Sequence, residues 1–139
     1  MGSPTRSIET AFQTHLADFA EQAGVAVALP NSNYKRTTGV PYIKASFLPG
    51  EPSQATLGPD GHNKHVGIFQ ATLFWPEGKG MVAPGEMADE IVNHFTRGTV
   101  LTQGDEVITI TRAYAGPAMI EPGWLYIPIT VQYYCYASN

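Results

Sequence analysis

The chain has 139 residues, one domain's worth, and 43% of them are hydrophobic, enough for a core and against wholesale disorder. Only 14% are charged, and eight Lys+Arg against twelve Asp+Glu leave a net charge of −4, a balance that disfavours a dedicated nucleic-acid binder. No apolar run reaches the roughly 18 residues of a membrane span and no secretory leader is read at the start; the single cysteine, Cys135, excludes an internal disulfide and thiolate-rich metal sites. The expectation is one soluble domain of a reducing compartment over residues 1–139, in which Met1, Gly2 and Ser3 read as an expression scar or as disordered residues.

In chain order, residues 4–23 predict a helix: Ile8, Phe12, His15, Leu16, Phe19 and Ala23 recur at spacings of three and four, Pro4 suits the first turn and Gly24 the stop. Val25–Leu29 is a short apolar strand. The loop from Pro30 to Pro41 carries Lys35 and Arg36; with Lys44, residues 31–50 hold three cations and no acid. Tyr42–Leu48 alternates, with Ile43, Ala45 and Phe47 on one face and Lys44 and Ser46 on the other. The stretch from Pro49 to Lys64 is too long for a structureless connection in a compact domain; it is either a functional loop or the extension of a hairpin.

His65–Trp75 is the strongest strand and is apolar on both faces, so it is central and either covered twice or placed at an interface. The segment Ala83–Arg97 predicts the second helix, with Pro84 near its start, acids Glu86, Asp89 and Glu90 in its first turns, and Arg97-Gly98 at its end. Val107–Arg112 is a strand that Ala113–Ile120 either continues or pairs with on return. Trp124–Tyr136 alternates along its length, and Pro128 in its middle predicts an edge strand or a bulge. Helix, strands, helix, strands make an α+β domain: two helices packed on a mostly antiparallel or mixed sheet.

Chemistry is sparse. Asp60, His62 and His65 are the one cluster of metal or acid/base types; a further ligand would have to come from elsewhere, such as His15 or His94, which are more simply helix residues, and a solvated loop is the preferred explanation of the cluster. There is no nucleophile elbow, phosphate loop or dinucleotide fingerprint. Cys135 falls on the core face by parity and lacks a cation to activate it. The expectation is a protein that is not an enzyme and carries no cofactor. Few charges, seven Tyr, six Phe and two Trp point instead to a surface that another copy or a partner covers. The residues assigned to such contacts are Lys35, Arg36, Tyr42, Lys44, Glu51, Gln54, Asp60, His62 and Pro128.

Five stretches carry a resemblance: IETAFQTHLADFA, PYIKASFLPGEPSQATLG, HVGIFQATLFWPEGKG, ADEIVNHFTRGT and GWLYIPITVQYY. Together they resemble the tail terminator, or tail completion, proteins of long-tailed phages, within a phage-related family once described only as a domain of unknown function. That resemblance implies a structural protein of the virion tail, at its head-proximal end, assembled in the host cytoplasm. It implies a ring of six copies, subunits that stay single in solution until they meet the tube, and contacts with the tail tube protein and a head-tail connector or stopper. Genomic DNA would pass through the lumen without specific binding, and no membrane is involved. The loops near residues 31–41 and 50–64 are the expected reach toward tube and connector. Other readings are a tube or stopper protein, for which residues 42–75 would have to hide a long hairpin, and a small metal-dependent hydrolase using Asp60, His62 and His65.

Overall fold

The structure, a computed structural model, describes residues 4–29, 39–50, 53–54, 62–78, 80–96, 98–103 and 106–138. Helix α1 (Pro4–Ala23) follows the stripe in the sequence: Ile8, Phe12, Leu16 and Phe19 are buried. It stops where expected. Gly24 takes a φ of 72°, and the Val25 N–H reaches back to the Ala20 carbonyl at 3.0 Å, closing the last turn.

The strands are β1 (Ala26–Ala28), β2 (Tyr42–Pro49), β3 (Ser53–Gln54), β4 (His62–Pro76), β5 (Val100–Gln103), β6 (Glu106–Ala115), β7 (Met119–Glu121) and β8 (Trp124–Ser138). They form one sheet in the order β1-β2-β4-β8-β6-β5, with β3 added to β4 and β7 to β8. Only β1 runs parallel to its neighbour; every other pairing is antiparallel. Strand β4 is central, and its fifteen residues pair with β8 from His62↔Ser138 to Pro76↔Trp124. Where residues 49–64 are described they extend the hairpin: Gly50 bonds Val66, and β3 continues the pairing as Ser53↔Lys64 and Gln54↔Asn63.

Helix α2 (Val82–His94) lies on the same face of the sheet as α1. Ala88, Ile91 and the following Phe95 join Phe12 and Leu16 over Phe69, Leu73, Ile110, Ile129 and Val131. Phe12 is the hub: its ring stacks on Phe69 at 5.0 Å and meets Tyr133 at 5.2 Å and Phe95 at 6.2 Å. The alternation of β8 holds, with Ile127, Ile129, Val131, Tyr133 and Cys135 all in this core.

Three expectations change. The second helix starts at Val82 and stops at His94, so Glu86, Asp89 and Glu90 lie past its first turn. Burial of the Phe95 ring ends it, the Phe95 N–H being shared between the Ile91 and Val92 carbonyls; Gly98 then bonds Ile110 of the sheet instead of capping the helix. Strand β5, between that helix and β6, is absent from the sequence reading. Third, Pro128 is neither on an edge strand nor at a bulge: β8 lies between β4 and β6. The Pro128 carbonyl accepts from Gly116 at 2.7 Å, so its missing N–H faces the seam where β6 ends at Ala115↔Ile129 and β7 begins at Met119↔Tyr126. The reciprocal bond, from residue 128 back to the Gly116 carbonyl, is the one the proline forgoes, at a point where the β6 pairing is already ending. The bulge falls instead in β6, between Ile110 and Arg112.

Candidate interaction surfaces

Both helices cover one face of the sheet, and among the described residues no element covers the other. Alternation assigns to it Lys44, Ser46 and Leu48 from β2, Lys64, Val66, Ile68, Gln70 and Thr72 from β4, Pro128, Thr130, Gln132, Tyr134 and Tyr136 from β8, and Arg112 and Tyr114 from β6. These side chains are exposed or half-buried, with Leu48 58% exposed. Strand β4 is therefore central but, among the described residues, covered on one face only, which leaves the interface alternative for Val66 and Ile68.

The open face has a charge and a shape. Lys64 sits over the Tyr134 ring at 5.5 Å and Arg112 over the Tyr114 ring at 4.4 Å, so both cations are held against the face by aromatic neighbours. A hollow of about 380 Å³ opens between β4 and β6 over β8, lined by Lys64, Val66, Ile68, Thr111, Gln132 and Tyr134 among others. The β6 bulge makes part of its wall, since Thr111 drops out of the ladder with β8. The helix layer is mainly acidic: Asp18 and Glu21 on α1 and Glu86, Asp89 and Glu90 on α2 are all exposed, with Arg6 near the start of α1 as a cation.

A second surface lies at one end of the sheet. The W-P-E-G-K-G turn after β4 is tied to the turn before β8: the Glu77 N–H donates to the Gly123 carbonyl at 3.1 Å, and the Gly123 N–H donates to the Glu77 carboxylate at 3.0 Å. Gly78 and Gly123 both have positive φ there. Beside this clamp a small apolar hollow of about 180 Å³ is bordered by Pro76, Met81, Ile120 and Leu125, and Met81, Val82 and Ile120 are largely exposed.

The sequence-assigned contact residues are dispersed across this frame. Lys44 is exposed on the open face opposite Thr72. Tyr42 is not a surface residue: it is 5% exposed, stacked on Phe74 at 4.7 Å and edge-on to Trp124, because the end of the open face has its own aromatic cluster. Pro128 is half-buried at mid-sheet. Gln54 and His62 are placed by backbone pairing at the far end of the hairpin. Lys35, Arg36, Glu51 and Asp60 lie outside the described residues. Lys64, Arg112, Gln132 and Tyr134 were absent from that assignment; the signal for the last two was the alternation of β8, which set them on the face opposite the core.

Positions 62 and 65 are three apart on β4, so strand alternation assigns them to opposite faces, and Asp60 lies outside the described residues. Among the described residues no three His, Cys, Asp or Glu converge on a metal-sized site. His15 and His94 instead bind each other. Their rings stack at 3.9 Å, and each Nε2 lies 2.7 Å from the other residue's carbonyl, bridging α1 to the end of α2. Burial lowers the His15 pKa; its hydrogen bond to the His94 carbonyl opposes the shift, the His94 charge adds to it, and Asp18 opposes it. Cys135 is buried, and burial followed by the nearby Glu106 charge pushes its thiol up, the opposite of an activated nucleophile.

Fold and surfaces together define a two-layer α+β domain with one sheet face covered by helices and the other uncovered among the described residues. A family model described as phage tail terminator protein matches residues 7–133, and the chain belongs to that family, structural proteins of the bacteriophage virion tail. A search of curated proteins finds no match. A solved structure superposes with a TM-score of 0.79, at 22% sequence identity, over 98% of this chain and 97% of the other; at that identity the likeness establishes the shared α+β fold.

Proposed function

We propose that this chain terminates the phage tail: six copies close a ring on the last layer of the tail tube, end its polymerisation and offer their other face to the head-tail connector or stopper. In this reading the protein works by contact alone, without catalysis or a cofactor, and DNA passes through the ring without specific binding. The observation that carries it is the family match over residues 7–133, within which lies a sheet face that no element covers among the described residues. Growth stops because the capped end no longer presents the surface that recruits a tube subunit. A subunit contact too small to offset the entropy lost on association would keep copies single until the tube gathers them.

The long antiparallel pairing of β2 and β4, with β3 added, is the feature that supports the second reading, a tube protein, for which an extended hairpin would be used. One experiment separates the two. Purified protein is mixed with tail tubes and imaged by negative stain. A single added layer at one end, and tails of normal length only when the protein is present, is the expected result. Open-ended growth of the tube from this protein alone, or normal tails joined to heads in its absence, refutes termination.

A further inference from the structure

We propose that the open sheet face is the seat for the acidic side of helix α2 of a second copy of this chain. This rests on the ring reading and goes beyond it by naming the two surfaces that meet. The first observation is charge. Lys44, Lys64 and Arg112 all take register positions on the open face, and Glu121, opposite Trp124, is confined to its aromatic end. The second is the hollow over β8. Lys64, Thr111 and Gln132, whose side chains end in an ammonium, a hydroxyl and an amide, are among its lining residues, beside Val66, Ile68 and Tyr134. That is a donor set for a carboxylate on a short aliphatic stem, the shape of a glutamate side chain.

The third is the counterpart on the helix layer. With Ala88 and Ile91 turned to the core, Glu86, Asp89 and Glu90 share the outward side of α2 and are exposed. Glu86 and Glu90 are one turn apart, a like-charge spacing that costs a free helix a few tenths of a kcal/mol and that a cationic seat relieves. The two surfaces lie on opposite layers of one domain. Pairing them is therefore head-to-tail, the geometry that closes rings, whereas a twofold contact of either surface with itself would set like charges together. Three cations on a chain of net charge −4 are too few to hold a nucleic-acid backbone tightly.

The test uses two full-length variants, Lys64→Glu/Arg112→Glu on the sheet and Glu86→Lys/Glu90→Lys on the helix. Capping of purified tail tubes is counted by negative stain, beside wild type. Each variant alone is expected to cap at least about tenfold less than wild type. Their equimolar mixture is expected to recover capping, because copies can alternate around an even-numbered ring with every contact complementary. If wild type caps and the sheet variant caps equally well, the seat is wrong while the ring reading stands. If wild type adds no single layer, the ring reading fails on its own. Two inactive variants that do not rescue each other overturn the pairing, provided both melt like wild type. Should either melt early, wild type decides: capping insensitive to salt between about 0.05 and about 0.5 M overturns the proposal. Binding of a short DNA duplex that the sheet variant loses, with capping intact, reassigns the face to nucleic acid and overturns it as well.

Discussion

Gly67→Ala places a methyl group where the fold has no room for one. Gly67 sits on β4 between Pro49 of β2 and Tyr133 of β8. An added Cβ would lie 2.6 Å from the Tyr133 hydroxyl, 2.8 Å from the Leu48 carbonyl oxygen and 2.9 Å from the Gly50 nitrogen. Two of those are main-chain atoms beside the 2.7 Å bond from Gly50 to Val66, and the third ends a ring held between Phe12 and Phe47. None can swing aside. Overpacking of this kind costs about 1–3 kcal/mol, and immobile neighbours put this case near 2. At roughly 4 °C per kcal/mol for a chain of this size, Tm should fall by about 8 °C. Gly85→Ala is the matched control: nothing lies within 4 Å of its added methyl, and inside α2 it should stabilise by about 0.5–1 kcal/mol. Urea and thermal unfolding of both variants measure the opposite signs. Tyr133→Phe removes one of the three clashes, so the double variant with Gly67→Ala should be about 1 kcal/mol more stable than additivity allows. A Gly67→Ala protein as stable as wild type, or strict additivity with Tyr133→Phe, refutes the argument.

Phe12→Ala should cost about 3–5 kcal/mol, since a fully buried ring that joins both helices to the sheet leaves a cavity that cannot collapse; chemical denaturation reads it, and a loss under 1 kcal/mol contradicts the hub role. Acidification should destabilise the protein through His15. Its folded pKa lies below the ordinary 6.5, so its contribution is complete above that value and fades as pH drops from there toward the lowered folded pKa. His15→Gln should flatten that part of a urea-midpoint-against-pH curve; an unchanged slope would assign it to other groups. Cys135 should react with a thiol reagent only at the rate of unfolding, and immediate stoichiometric labelling of native protein would contradict its burial.

Both helices, β2, β4 and β8 were legible because each carries its own period. Ile8, Phe12, Leu16 and Phe19 repeat at helical spacing, and Leu125 through Cys135 alternate, so the buried face of each element is written locally. The same local rule put Gln132 and Tyr134 away from the core without saying what lay over them. Strand β5 escaped notice because four residues with one core anchor, Leu101, hold too little pattern. The Gly104-Asp105 pair between β5 and β6 is the hairpin signal that would have found it.

What the sequence determined by itself was therefore the inventory: α+β, one core face per element, a chain poor in charge, no activated cysteine, and stretches of terminator family character. Tertiary structure decided the neighbours. A proline declares that one N–H is missing, but only strand order shows that at Pro128 the gap faces a seam and not a free edge. Two histidines 79 residues apart become one bridge between helices. Lys44, Lys64 and Arg112, far apart in sequence, come together on one sheet face. The physical reason is the same throughout: side-chain direction is set by the local backbone, whereas strand pairing and layer packing join residues distant in sequence, and it is there that an interacting surface is made.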